Sequence, residues 1–198
     1  MSLLSASILL FLVMDPFGNV PVFLCVLKDI PYQRRQQVIL REVIIALLVL
    51  ASFLVAGPHI LMALQISEPS LRIAGGIILF LIAIKMIFGA TEDLFRNTAG
   101  GGEPLIVPLA IPCIAGPAAI ATVMLLMGQD PGRWNEWLLA LILAWLVSSV
   151  ILLLSTKLDY VFGLSGLTAL QHLMGLILTA LAVEMFLQGI NTVFFNQV

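Results

Sequence analysis

The chain has 198 residues, 61% of them hydrophobic and only 10% charged, with a mean hydropathy of +1.14, which excludes an ordinary soluble domain and defines an integral membrane protein. A formal charge of −2 without any basic run leaves no footprint for nucleic acid or for an anionic-lipid switch. Cys25 and Cys113, both in apolar segments, suggest neither a disulfide framework nor a metal pattern.

Apolar runs of about 20 residues, the length that a hydrocarbon core of roughly 30 Å requires, predict six spans. The first, 2–28, lacks a basic n-region and a cleavage site and is read as a retained span. It is interrupted by Met14-Asp15-Pro16-Phe17-Gly18-Asn19-Val20-Pro21. Proline lacks the N–H its turn needs and clashes with the carbonyl four residues back, and glycine weakens the helix further. Two half-helices meeting at a break are therefore expected. The free backbone groups and Asp15 there are tolerated in a membrane only where protein or water satisfies them.

A polar, basic stretch from Lys28 to Arg41, with Pro31 marking a turn, leads to the second span at 42–64. The third, 71–89, carries Gly75-Gly76, which lets a neighbouring backbone approach closely. Residues 90–103, with Glu92, Asp93, Arg96 and three glycines, form the longest linker. The fourth span, 104–127, contains Pro108, Pro112, Gly116 and Pro117; the fifth is 137–156 and the sixth 168–190. Lys28, Arg34, Arg35, Arg41, Arg96 and Lys157 fall on one side, against Arg72 and Arg133 on the other. The positive-inside rule then makes the first side cytoplasmic and leaves both termini periplasmic.

A shift of 96 residues lays Pro16 on Pro112 and Pro21 on Pro117, so each half opens with a span carrying Pro-x-x-x-x-Pro. At a shift of 99 the third and sixth spans match at Leu71/Leu170, Gly76/Gly175, Ile78/Ile177, Leu79/Leu178, Ala83/Ala182 and Met86/Met185. Three spans per half reverse the second copy. The expected fold is thus an all-α membrane protein whose six transmembrane helices form a 3+3 inverted repeat, 1–89 and 104–198 joined by 90–103, with spans one and four broken near the midplane. Each break exposes a helix N-terminus whose N–H groups and dipole favour an anionic group such as a carboxylate.

These residues resemble the MarC (UPF0056) family of bacterial inner-membrane proteins, which includes the SnatA-type small neutral amino acid transporters. The resemblance covers nearly the whole chain. It rests on residues 14–21, on Arg41-Glu42, on Gly-Gly-Ile-Ile-Leu-Phe-Leu-Ile-Ala-Ile-Lys-Met-Ile-Phe at 75–88, and on Pro-Leu-Ala-Ile-Pro with the following Gly-Pro at 108–117. It implies six spans in the inner membrane and transport or export of amino acids.

Asp15 heads the candidate site, whether it pairs with a substrate ammonium, binds a proton or cation, or only caps a half-helix. Pro16, Gly18, Asn19 and Pro21 in the first half, and Pro112, Gly116, Pro117 and Thr122 in the second, complete the substrate-binding candidates. Candidates for coupling or gating are Asp15, Arg41, Glu42, Lys85 and Glu184. Lys85 and Glu184 are equivalent under the repeat but lie near opposite faces, so no ion pair between them is expected. Lys85 is expected to snorkel to its near face. His59, beside Gly57-Pro58, is read as an outer-interface residue.

A secondary transporter in which the two halves rock about a midplane site is the leading expectation. With no nucleotide motif, energy must come from an ion gradient or from the substrate's own, and no cofactor is expected. Proton coupling is a hypothesis motivated by Asp15 and Glu184. A passive channel or a structural membrane protein is the alternative; an enzyme is disfavoured for lack of a nucleophile with a base, or of clustered acids. The partners expected are a small amino acid and membrane lipid, with a homodimer plausible for so small a carrier.

Overall fold

The computed structural model describes residues 1–27, 30–88 and 114–194, and every regular element among them is a helix. The first span is α1, Leu3–Met14, followed after Asp15 by α2, Pro16–Val26. The second is α3, Tyr32–Leu64. The third, α4, runs Glu68–Ile87 and is capped by Ser67, whose side chain accepts from the Ser70 N–H. After the undescribed stretch come α5, Pro117–Gln129, a single 3-10 turn at Pro131–Arg133, and α6, Trp134–Leu153. The last element, α7, Ser155–Phe194, is two helices joined at Gly163, whose φ of 62° lies where only glycine is at ease. Among the described residues five helical segments are long and apolar enough to cross a membrane, and α5 is a shorter apolar helix.

Two boundaries differ from those expected. The stretch 32–41 is not a loop but the first turns of α3, because its Gln and Arg residues are good helix formers and Val38 and Ile39 bury one face. At 33 residues α3 is about 50 Å long, well beyond a hydrocarbon core of roughly 30 Å. The segment before Gly163 is likewise helical rather than a simple connection. Pro21 and Pro58 sit inside α2 and α3 without ending them, as neighbouring helices in a membrane permit. Lys28, the linker 90–103 with Glu92, Asp93 and Arg96, and Pro108, Pro112 and Cys113 lie outside the described residues.

Packing decides where the cavities fall. Helix α4 lies along α7 as its main partner; α1 packs on α6 and α5, α2 on α7 and α6, and α3 on α5 and α6, while α4 also meets α5. Among the described residues these contacts run chiefly between the two halves of the chain and not within either. The α4–α7 crossing is reciprocal. A Cβ on Gly76 would stand 2.9 Å from the Ala182 carbonyl and 3.4 Å from Met185 Cβ, and one on Gly175 would stand 3.1 Å from the Ala83 carbonyl and 3.2 Å from Met86 Cβ. Only glycine permits such an approach. Outward-facing side chains such as Leu48, Val55, Phe80, Leu146, Leu176 and Leu187 are exposed and apolar, as a lipid-facing surface must be.

The end of the bundle holding residue 1 is tied by Arg133. Its Nη1 donates to the Met1 carbonyl at 2.9 Å, its Nε to Glu136 Oε1 at 3.0 Å, and its guanidinium stands 4.7 Å from the centre of the Trp137 ring. Glu68 at the start of α4 packs over Gly128 near the end of α5 at this same end. Farther along, Trp145 Nε1 donates to the Val43 carbonyl at 2.8 Å, pinning α6 to α3.

Candidate functional site

The polar groups of the first break turn back on the break itself. Asp15 stands in the left-handed region (φ 43°, ψ 62°), uncommon for a residue with a side chain. Its N–H donates to the carbonyls of Phe11 and Leu12, both at 3.1 Å, closing α1. One carboxylate oxygen, Oδ1, accepts from the Gly18 N–H at 3.1 Å, the usual N-cap bond to the third helical residue. Asn19 Nδ2 donates to the Met14 carbonyl at 2.9 Å, satisfying an acceptor that the end of α1 leaves free. Pro16 supplies the first position of α2, where its missing N–H costs nothing.

Asp15 is 6% exposed, and what it faces is a cavity of about 230 Å³. Val13, Met14, Gly18 and Asn19 line one side, Ile82, Lys85 and Met86 of α4 a second. Gly116, Ala118 and Ala119 at the start of α5 and Leu178 of α7 complete it. The volume lies below the roughly 300–1,000 Å³ of sites for drug-sized ligands. Gly18 cannot be larger here, because a Cβ would run into the Asp15 carboxylate and the Met86 methyl. The second half contributes small residues at the start of a helix: Gly116 is the N-cap of α5, and Pro117 its first residue.

Of the residues singled out in the sequence, the fold brings Asp15, Gly18, Asn19, Gly116 and Lys85 to this one cavity. Lys85 thus stands in the cavity wall. Pro16, Pro21 and Pro117 shape the helices but do not line the cavity. Thr122 is one turn beyond Ala118, donates to the Ala118 carbonyl at 2.8 Å, and faces a different cavity. Arg41 and Glu42 form an ion pair at 2.9 Å on α3, apart from both cavities. Glu42 is fully buried, and its Oε2 has no hydrogen-bond partner among the described residues. His59 is exposed on the last turns of α3.

The second cavity, about 360 Å³, lies toward the end that holds residue 1 and is formed by α1, α4, α5 and α7. Thr122, Leu181, Glu184 and Met185 line it, together with three polar side chains that sequence reasoning passed over as site residues, Arg72, Gln129 and Gln188. Arg72 entered only as a topology charge, and the 116 residues separating it from its partner Gln188 carry no sequence signal. The two cavities share no lining residue. Under the shift of 99, Ile82, Lys85 and Met86 of the first become Leu181, Glu184 and Met185 of the second.

Several apolar helices of spanning length packed into one bundle define a multi-pass helical membrane protein. The chain belongs to the MarC family: the model of MarC family integral membrane proteins matches residues 1–194. It is 49% identical to the UPF0056 inner membrane protein YhgN of Escherichia coli (strain K12) over 189 residues, 96% of each chain. It is 47% identical to a UPF0056 membrane protein of Buchnera aphidicola subsp. Baizongia pistaciae over 195 residues, 98% of each. A UPF0056 membrane protein of Chlamydia pneumoniae is 35% identical over 97% of this chain and 95% of its own. No solved structure matches. With such relatives and such helices, the chain is a multi-pass protein of the inner membrane.

Proposed function

We propose that the protein is a secondary transporter of small neutral amino acids, with its substrate site at the broken first span and the start of α5. The observation that carries this is the small cavity where Asp15, Gly18, Asn19 and Lys85 converge with Gly116 and Ala118 in an otherwise apolar bundle. A carboxylate, an ammonium and an amide around so small a space suit a small ligand with both charges. The amino-acid class itself rests on the family resemblance.

An inverted repeat is supported by the packing. Exchanging spans one, two and three for four, five and six maps the inter-half contacts onto one another, and the reciprocal Gly76 and Gly175 contacts obey the same exchange. Two cavities toward opposite ends, in the same groove and without a shared wall, fit alternating access better than an open pore. The count of Lys and Arg supports a periplasmic position for the end holding residue 1. Because the halves interleave, the bodies that move in transport must each combine helices from both.

Reconstitution in proteoliposomes with radiolabelled alanine and glycine, with and without an imposed pH gradient, tests this. Saturable uptake is expected, abolished in Asp15→Asn. Uptake unchanged in Asp15→Asn reduces that acid to a cap, and uptake indifferent to a collapsed proton gradient removes proton coupling. Uptake that is linear and unsaturable favours a passive channel.

A further inference from the structure

The cavity at the end holding residue 1 carries a charge arrangement that the first cavity's chemistry does not use. Arg72 of α4 and Glu184 of α7 both line it, yet they meet only through Gln188. The Gln188 amide oxygen accepts from Arg72 Nη1 at 2.5 Å, and its nitrogen donates to Glu184 Oε1 at 2.7 Å. A neutral group thus offers an acceptor to the cation and a donor to the anion, the two atoms sharing one carbon. An α-amino acid presents the same pattern with full charges, a carboxylate oxygen and an ammonium nitrogen a few bonds apart. Exchanging the amide for such a ligand turns two hydrogen bonds to a neutral group into two between opposite charges, which are the stronger kind.

We infer that this cavity is a second binding site, for the zwitterionic end of an α-amino acid, with the ligand carboxylate on Arg72 and its ammonium on Glu184. Arg72 and Glu184 contribute one positive and one negative side chain to the wall, so a ligand without net charge is favoured. Leu125, Leu126 and Met185 leave room for a short apolar side chain. Gln188 is the group displaced on binding, and it closes the pair again when the ligand moves on. A route onward to Asp15 rests on the carrier reading above; binding at the cavity does not.

The test is equilibrium binding of radiolabelled alanine to the purified full-length protein in detergent, with alaninamide and N-acetylalanine as competitors, run beside uptake in proteoliposomes. Alanine should bind, and neither analogue should compete, since each lacks one of the two charges. Arg72→Gln and Glu184→Gln should each weaken alanine binding by about ten- to a hundredfold, with Arg72→Lys recovering part of it. Arg72→Gln should also lose the discrimination against alaninamide, a change in selectivity that mere misfolding does not produce. Gln188→Leu, which keeps both charges, should bind alanine as tightly as the unaltered protein or tighter. Unaltered binding and KM in Arg72→Gln and Glu184→Gln, in protein whose uptake is lost in Asp15→Asn, overturns this site and leaves the carrier standing. Loss of binding in Gln188→Leu overturns the displacement. Absence of both binding and uptake in the unaltered, folded protein overturns the site and the carrier together.

Discussion

At the scale of single residues, Asp15 and Gly18 form one unit. Asp15 caps α2 through the Gly18 N–H, and the absence of a side chain at Gly18 leaves room for the other carboxylate oxygen. Gly18→Ala is expected to lower stability by about 1–3 kcal/mol, the usual cost of overpacking, and to abolish uptake because the carboxylate must leave its place. Thermal unfolding in detergent and uptake measure the two effects. Asp15→Ser, which keeps an N-cap, should unfold within about 1 kcal/mol of the parent but lose uptake if the charge matters to transport. Glu42 sets a different prediction. Its buried carboxylate has the part-exposed Arg41 on one oxygen and, among the described residues, no hydrogen-bond partner on the other, so Arg41→Met should cost about 3–5 kcal/mol by stranding a buried carboxylate. Adding Glu42→Gln to that variant should recover much of the loss in the melting temperature, which a merely additive pair would not. The break at Asp15 was legible because Pro16 and Gly18 forbid an undisturbed helix, whatever surrounds them. Arg72 and Gln188 were not, because a contact across 116 residues follows from how α4 crosses α7.

At the scale of helices, what was legible followed from span length and small residues. The apolar runs placed the third and fifth spans to within about three residues but missed the first turns of the second, and Gly75-Gly76 marked a close interface that the reciprocal contacts of Gly76 and Gly175 realise. Thr122 stands apart from Asp15 for a reason of helical phase: residues 118 and 119 line the cavity of Asp15, and one turn later the same face has reached the other cavity. Pro21 did not deepen the break, since the helix interruption is complete at Asp15 and the neighbouring helices hold α2 together beyond it. At the α4–α7 crossing, Gly76→Val and Gly175→Val should each lower stability by roughly 1–3 kcal/mol or more, since the obstacle is backbone that cannot step aside. Ile77→Val, one residue away on the exposed face, should leave the free energy of unfolding within about 0.5 kcal/mol of the parent.

At the scale of the whole molecule, the two halves are not two packed bodies lying side by side. Each helix finds its larger contacts in the opposite half, and among the described residues the longest interface, α4 on α7, joins the last span of one half to the last span of the other. The matched prolines and the shift of 99 raise the expectation of a repeat from the sequence alone. The interleaving of the halves was not legible there, because likeness between segments leaves open which of them touch.

That interleaving sets the order in which the protein can be made. When a ribosome has delivered α4 to the bilayer, the glycine face of that helix has no protein to meet, and it must wait in lipid until α7, some hundred residues later, has been inserted. A first half expressed alone as residues 1–89 should therefore be short-lived, cleared by membrane proteases within a pulse-chase. Supplied in the same cell with a separate chain of residues 104–198, it should survive and co-purify, since the contacts among the described residues run chiefly between these two segments.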